Sequence, residues 1–323
     1  MFESSKKVIG AFVGIIVSCL MGLFVNMLTQ YLEKPMFKNE NETEIKKCII
    51  QPEQIDVTLE SIGGLKKVKE ELQNLIILPL KYPNFFKENE LLKPIKGILF
   101  YGPPGTGKTL LVKSLSKDAN VPLLSLSASL LESKWFGESN KLISSAFQVA
   151  RSIQPCIVFF DEIDGIGKTR SDFDQSCVST FKTELLSQMD GINNRKSDSF
   201  IIIGCTNNIK SLDNALQRRF SNKYEISLPN LSERKHILSI LTKNETLTDN
   251  ILQQISLNTD KHSGSDLESL YRRVSNKRLQ KEFENKSFVL SIKQNKKIDY
   301  KLPKLTWDMW KEELGISDDE EPP

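Results

Sequence analysis

Two kinds of apolar pattern divide the chain. Continuous or nearly continuous apolar runs at 98–101, 121–126, 157–160 and 200–205 predict strands covered on both faces of a parallel sheet, because a half-exposed strand would alternate with period two. Periodic runs lie between and after them. Leu65, Val68, Leu72, Leu75 and Ile76 recur at intervals of three and four, which predicts a helix burying one face. Another helix opens near Glu138, after the loop LESKWFG, and a short helix at LDNALQRRF precedes a further strand at KYEISLP. From Leu231 the segments SERKHILSIL, DNILQQISL and SDLESLYRRVSNKRLQKEF read as three successive helices, the last with Ser265 as N-cap and Glu268 as its capping-box partner. WDMWKEELGI has amphipathic helical spacing, and the acidic stretch SDDEEPP, with no core formers, is expected to be disordered. Strand–helix alternation followed by helices alone predicts an α/β domain over 57–229 and a small helical lid over 230–316, folding as two units, before an acidic tail at 317–323.

The N-terminal region has a different character. After a short tail at 1–7, residues 8–28, VIGAFVGIIVSCLMGLFVNML, carry no charge, and about 20 apolar residues suffice for a helix to cross a bilayer. The run is longer than a signal-peptide core and lacks a small-x-small cleavage site after it, so a transmembrane helix is the preferred reading. Lys6 and Lys7 precede the span while Lys34 and Lys38 follow it, so charge asymmetry does not orient it. Gly10 and Gly14 form a G-x-x-x-G, a pattern that permits close helix approach but is common in membrane helices generally. Residues 29–56 are charged, rich in Asn, and contain Pro35 and Pro52, which reads as a tether.

Composition mainly excludes. With 44 basic and 41 acidic residues and a net charge of +3, the chain has no bulk bias toward nucleic acid, which is not an expected partner. The five cysteines show no C-x-x-C spacing and read as reduced packing residues. His236 and His262 are the two histidines, and neither lies in H-E-x-x-H, so no zinc protease site can be assembled.

The chemistry is concentrated at the predicted strand ends. ILFYGPPGTGKT, residues 98–109, is a strand followed by the Walker A pattern G-x-x-x-x-G-K-[ST]. Gly102, Pro103, Pro104, Gly105, Thr106, Gly107, Lys108, Thr109 and Leu110 form the expected phosphate-binding set: the glycines let main-chain N–H groups turn inward, Lys108 reaches the outer phosphates, and the Thr109 hydroxyl binds Mg²⁺. IVFFDEID, residues 157–164, ends a buried strand in carboxylates, with Asp161 expected to hold Mg²⁺ and Glu162 to polarise the attacking water. FIIIGCTNN brings Asn207 to the same sheet edge, where it would orient that water. Arg218 and Arg219, closing the short helix, read as arginine fingers supplied to a neighbouring subunit. Trp135 and Phe136 fall outside any helical period, which suits an exposed gripping surface.

GPPGTGKT, IVFFDEID, GCTNN, RRF and SGSDL together resemble the AAA ATPases, and the resemblance runs from about residue 56 to the end. VTLESIGGL, KWFGESNKL and WDMWKEEL look like that family's meiotic clade, and the apolar span looks like its branch anchored in the mitochondrial outer membrane, which extracts mislocalised tail-anchored proteins. The implied fold is an AAA module, a parallel P-loop sheet flanked by helices, with a small α-helical lid and one preceding transmembrane helix. The implied assembly is a homohexamer using ATP and Mg²⁺, threading tail-anchored membrane-protein substrates through a central pore beside the lipid bilayer, with the ATPase domain facing the cytosol. The resemblance places Ile62, Gly63, Gly264 and Ser265 on the adenine and ribose side, Trp135 and Phe136 in a first pore loop, and Asp174 and Gln175 in a second. Phe136 stands where the family usually has Tyr, Gln175 where it often has His, and GCTN where it has GATN; the first two bear on substrate range. Remodelling of ESCRT-type or microtubule-type assemblies, a nucleotide-dependent membrane-tethered scaffold, and anchorage in the peroxisome or endoplasmic reticulum remain open alternatives.

Overall fold

The continuous apolar runs form strands, and the sheet they build carries the rest of the chain. The computed structural model describes residues 40–88, 94–127, 139–165, 182–191, 198–245, 247–284 and 304–316. The apolar span 8–28, Trp135, Phe136, Asp174 and Gln175 lie outside the described residues, among which no helix is long and apolar enough to cross a membrane.

The chain begins its described course with α1 (Glu40–Lys46) and β1 (Ile49–Ile50), continues through α2 (Lys66–Leu72), a π-helical turn (Gln73–Ile77), α3 (Leu78–Lys81) and α4 (Pro83–Glu88), and then enters β2 (Gly97–Tyr101) and α5 (Lys108–Ala119). Next come β3 (Leu123–Ser127), α6 (Ser139–Ser152), β4 (Cys156–Asp161), α7 (182–191), β5 (Phe200–Thr206), α8 (Asn214–Arg219) and β6 (Asn222–Glu225). The sheet order is β1-β3-β4-β5-β2-β6, parallel throughout except for the edge strand β1, which runs antiparallel to β3.

The end of the segment 29–56, read as a tether, supplies β1 at the edge of the sheet. A two-residue strand is too short to show periodicity, which is why the sequence conceals it. The KYEISLP strand is also shorter than its apolar content suggests, although Ile226 N–H still donates to Tyr101 O at 2.7 Å.

Alternation along each strand sends side chains to two separate cores. Leu99, Val158, Phe160 and Ile202 face α6 and α7 together with Phe220, whereas Ile98, Phe100, Ile157, Phe159 and Ile203 face α5 and the helices around the π-turn. Each large side chain buried this way contributes about 1.5–3 kcal/mol relative to exposure. The π-turn sits just before Pro79, whose ring cannot follow a regular α-helical turn. Within β5, Gly204 makes room for Phe220: a Cβ there would lie 2.9 Å from the Phe220 ring and 3.2 Å from Leu99 Cδ1.

The lid consists of α9 (Leu231–Leu241), α10 (Asp249–Leu257), α11 (Gly264–Glu284) and α12 (Trp307–Leu314) around its own core of Leu238, Ile255, Leu267, Leu270, Val274 and Trp310. Trp310 is fully buried and stacks on Tyr271 with ring centroids 6.4 Å apart. Sheet domain and lid fall within one compact unit that starts at Ile45. The N-cap of α11 also differs from expectation. Ser263, not Ser265, fills it: Ser263 Oγ accepts Asp266 N–H at 3.3 Å, and Asp266 Oδ2 accepts Ser263 N–H at 2.9 Å. Ser265 occupies the second helical position, and its N–H is used elsewhere.

Candidate active site

In a parallel sheet the C-terminal strand ends form the natural binding edge. Register brings three of them together here, with Tyr101 beside Thr206 and Phe160 beside Gly204. The loop 102–107 leaves β2 with Gly102, Gly105 and Gly107 at φ +144°, +76° and +92°, conformations that side-chain-bearing residues reach only under strain. Lys108, the first residue of α5, is buried and bends back so that Nζ donates to Gly102 O at 2.8 Å and Pro103 O at 2.7 Å. Burial lowers its pKa, opposed by the nearby Cys205, Asp161 and Asp164. Thr106 Oγ1 donates to Pro103 O at 2.9 Å and firms the same loop. Pro103, Pro104 and Leu110 are exposed around its rim.

Across from the loop, Thr109 Oγ1 donates to Asp161 Oδ2 at 3.0 Å. A hydroxyl and a carboxylate oxygen side by side are the hard donors that Mg²⁺ selects, and the residues therefore fit this ion. Among the described residues no three acidic, histidine or cysteine side chains cluster, so a cation at this pair would draw its other ligands from phosphate and water.

Glu162 is exposed and holds φ +51°, a left-handed conformation that a glutamate adopts only when its surroundings impose it. The imposing contacts are visible. Glu162 N–H donates to Asp161 Oδ1 at 3.1 Å, Ile163 N–H to Cys205 O at 2.9 Å, and Gly165 N–H to Glu162 O at 2.7 Å. Asp164, to which the sequence alone assigns no role, accepts Thr206 Oγ1 at 2.8 Å and thereby ties this turn to the end of β5. Its only sequence signal is its place in the same acidic motif. Asn207 follows Thr206 and is exposed at the sheet edge. Burial pushes the Cys205 thiol well up, aided by Asp161, which makes it an unreactive neighbour.

The two arginines part company. Arg218 is exposed and forms no ion pair with the described residues. Arg219 is held by Asp190 of α7, its Nη2 donating to Oδ2 at 2.8 Å while Nε faces Oδ1, and this hydrogen bond raises the pKa of its guanidinium. Nothing in local spacing announces Asp190, which lies a helix and a strand away in sequence. Phe220, buried against Gly204, anchors the end of α8 and so fixes where the arginines emerge.

Of the residues expected on the base side, Gly264 and Ser265 touch the phosphate loop, and Ile62 and Gly63 lie elsewhere. Ser265 N–H donates to Gly105 O at 3.1 Å, so the first turn of α11 rests on the phosphate loop beside Gly264. Gly63 instead packs on the lid through α9, where it meets Ile237, while Ile62 is half-buried against the sheet core on the α5 side.

Residues 98–228 match the profile of the AAA family, the ATPase family associated with various cellular activities. The chain is 37% identical over 234 residues to an outer mitochondrial transmembrane helix translocase of Danio rerio, covering 72% of this chain and 62% of that protein. It is 34% identical over 242 residues to the mitochondrial sorting homolog of Caenorhabditis elegans, covering 75% of this chain and 70% of that protein. Among solved structures it is similar to the FIGL-1 AAA domain in complex with ADP, with a TM-score of 0.70 and 28% identity over 88% of this chain and 94% of that one.

Proposed function

The chain belongs to the AAA family of ATPases, and on that premise we propose that it is a membrane-anchored ATP hydrolase that pulls tail-anchored proteins out of the mitochondrial outer membrane. The observation that carries the hydrolase reading is the juxtaposition of Thr109, Asp161 and the strained Glu162 at the mouth of the phosphate loop. The relatives named as outer mitochondrial transmembrane helix translocases support the choice of membrane and substrate.

ATP would enter along the edge formed by loop 102–107, with its base toward Ile62, Gly63, Gly264 and Ser265. Lys108 exchanges two carbonyl acceptors for phosphate oxygens, a swap that keeps its ammonium fully bonded. Thr109 and Asp161 would hold Mg²⁺, which neutralises charge on the outer phosphates when bound. Glu162, aimed outward by its left-handed backbone, orients the attacking water and takes up its proton, and Asn207 fixes the water's other side. Arg218 projects away from its own fold and completes the site of the next subunit in a homohexamer, with Arg219 beside it on Asp190. Hydrolysis drives the pore residues Trp135, Phe136, Asp174 and Gln175 along an extended polypeptide, with Trp135 and Phe136 gripping by ring contact that tolerates any sequence. The span 8–28 places the ring on the membrane.

The deciding experiment is extraction of a tail-anchored protein from liposomes carrying the full-length chain, with Glu162→Gln as the control. ATP-dependent release by the unmodified protein alone is expected. Hydrolysis without release would move the function to remodelling of soluble assemblies, and absence of hydrolysis would leave a tethered scaffold.

A further inference from the structure

The turn ahead of α2 is held by the lid and not by itself. Gly64 and Leu65 both have left-handed backbone, φ +74° and +55°, and Leu65 stands at the N-cap of α2 without a side chain that can cap it. Their main-chain N–H groups would be orphans of the helix start. Both find acceptors on α9: Leu65 N–H donates to Glu233 Oε1 at 3.0 Å, and Gly64 N–H to His236 Nδ1 at 3.2 Å.

Glu233 is prepared for this contact. Its Oε2 accepts Asn230 N–H at 3.1 Å while Asn230 Oδ1 accepts Glu233 N–H at 3.0 Å, a capping box that leaves the other carboxylate oxygen facing across to the turn. From the other side Lys69 Nζ donates to Ile62 O, and Glu233 attracts the same ammonium. Beneath the turn, a Cβ on Gly63 would lie 2.5 Å from Ile237 Cγ1 and 2.7 Å from Ile237 Cα. The backbone of 62–65 is thus pressed onto α9 by shape and stitched to it by two side chains.

We propose that Glu233 and His236 are positioning residues for nucleotide-base recognition, fixing the main chain of Ile62 and Gly63 to the lid so that the base is read by a rigid backbone. The inference rests on the ATP-hydrolase reading above, which seats the base at this turn. Neither side chain touches nucleotide; each acts through peptide groups that would shift by a fraction of an ångström without it, enough to misplace directional hydrogen bonds. The phosphates, held by loop 102–107, are indifferent to the latch. Base and phosphate binding therefore come apart when the latch is broken.

The test uses the full chain and compares calorimetric binding of ATP, GTP and inorganic tripolyphosphate in the presence of Mg²⁺ for Glu233→Gln, His236→Ala and His236→Asn. Glutamine keeps one acceptor oxygen where two N–H groups need one each, and alanine keeps none. ATP affinity is expected to fall about tenfold in Glu233→Gln and His236→Ala, the scale of one lost hydrogen bond to a fixed group. Tripolyphosphate binding should stay unchanged, preference for ATP over GTP should shrink, and turnover at saturating ATP should remain within about twofold, so that KM moves and kcat does not. Asparagine, whose Oδ1 takes the place of Nδ1, is expected to restore wild-type binding. Equal weakening of ATP and tripolyphosphate would mean general loosening of the fold and would overturn the proposal, as would unchanged ATP affinity or failure of asparagine to rescue. A wild type that binds neither compound removes the hydrolase reading itself, an outcome distinct from failure of the latch.

Discussion

Replacing Gly105 with alanine tests whether the phosphate loop and the lid share a tight contact. The left-handed backbone at φ +76° charges any β-carbon about 1–2 kcal/mol. Gly107, at φ +92°, bears the same conformational cost, but a Cβ added there would meet nothing within 4 Å, so Gly107→Ala measures strain alone. At Gly105 the new methyl would sit 2.2 Å from Ser265 Oγ and 2.6 Å from Ser263 Oγ, and Ser263 is the N-cap of α11. Relief requires the helix start to retreat. That sacrifices the Ser265-to-Gly105 hydrogen bond and disturbs the Ser263–Asp266 cap, each worth about 1 kcal/mol. Gly105→Ala should accordingly cost about 2 kcal/mol more than Gly107→Ala in nucleotide-free urea unfolding, the sum of those two losses. Hydrogen exchange of the Ser265 amide should speed up in the first variant and not in the second. Ser265→Gly added to Gly105→Ala should recover part of the difference by opening the nearer of the two overlaps. Equal destabilisation by the two alanines, or no recovery in the double variant, would refute the contact.

The remaining expectations follow from individual contacts. Arg218→Ala should lower ATP turnover about 10³-fold or more with unchanged melting temperature, and mixing it with Lys108→Ala subunits should restore activity if the arginine acts on a neighbour; failure to complement would place it in its own site. Trp310→Ala should cost about 3–5 kcal/mol, read by urea unfolding, because the ring is fully buried in the lid core, and a loss below about 1 kcal/mol would show that α12 does not dock as described. Asp266 has its pKa lowered first by the Ser263 hydroxyl and then by the Ser263 main-chain N–H. A depressed folded-state pKa gives stability that is present above the unfolded value of about 4 and disappears as pH falls through the folded value. The stability gap between wild type and Asp266→Asn should therefore close on acidification, and a gap that persists into strong acid would contradict the cap.

What could be read from sequence was whatever repeats or clusters locally. β2, β4 and β5 announce themselves because a strand covered on both faces has no polar position to interrupt the run, and the glycine spacing of 102–107 admits few other uses. Misplacing the α11 cap had a specific cause. Ser263 with Asp266 and Ser265 with Glu268 make the same pattern two residues apart, and only the tertiary position of Gly105, which claims the Ser265 N–H, decides between them. Asp190 and Arg219 pair across the intervening β5, and Glu233 reaches a turn 168 residues earlier in the chain. Such contacts depend on how layers stack, and neither partner carries a local mark of it. The docking site of α12 was hidden for the same reason: its amphipathic spacing reveals that it buries a face, while Tyr271 and the lid core reveal against what.

Three glycines give the link between nucleotide and lid a geometric basis. Gly63 lies against the backbone of α9, Gly105 against the start of α11, and Gly102 against the connector from β6, where a Cβ would meet Ile226 O at 2.2 Å. Glycine at each point lets the neighbouring segment approach closer than a side chain there would permit, main chain to main chain at Gly63 and Gly102 and against the Ser263 and Ser265 side chains at Gly105. The lid is consequently seated on the phosphate loop at Gly105 and on the base-side turn at Gly63, while Gly102 packs the loop against the connector that leads into the lid. A lid touching at a single point could pivot freely, and changes in the loop would be lost in that freedom. With three separated contacts, a shift of the loop at Gly102 or Gly105 reorients α11 and the connector together, while Glu233 and His236 force residues 62–65 to follow α9. Loop shape and lid orientation are therefore one mechanical variable, and loosening the contact at Gly63, Gly102 or Gly105 should weaken the coupling of hydrolysis to lid movement before it weakens hydrolysis itself.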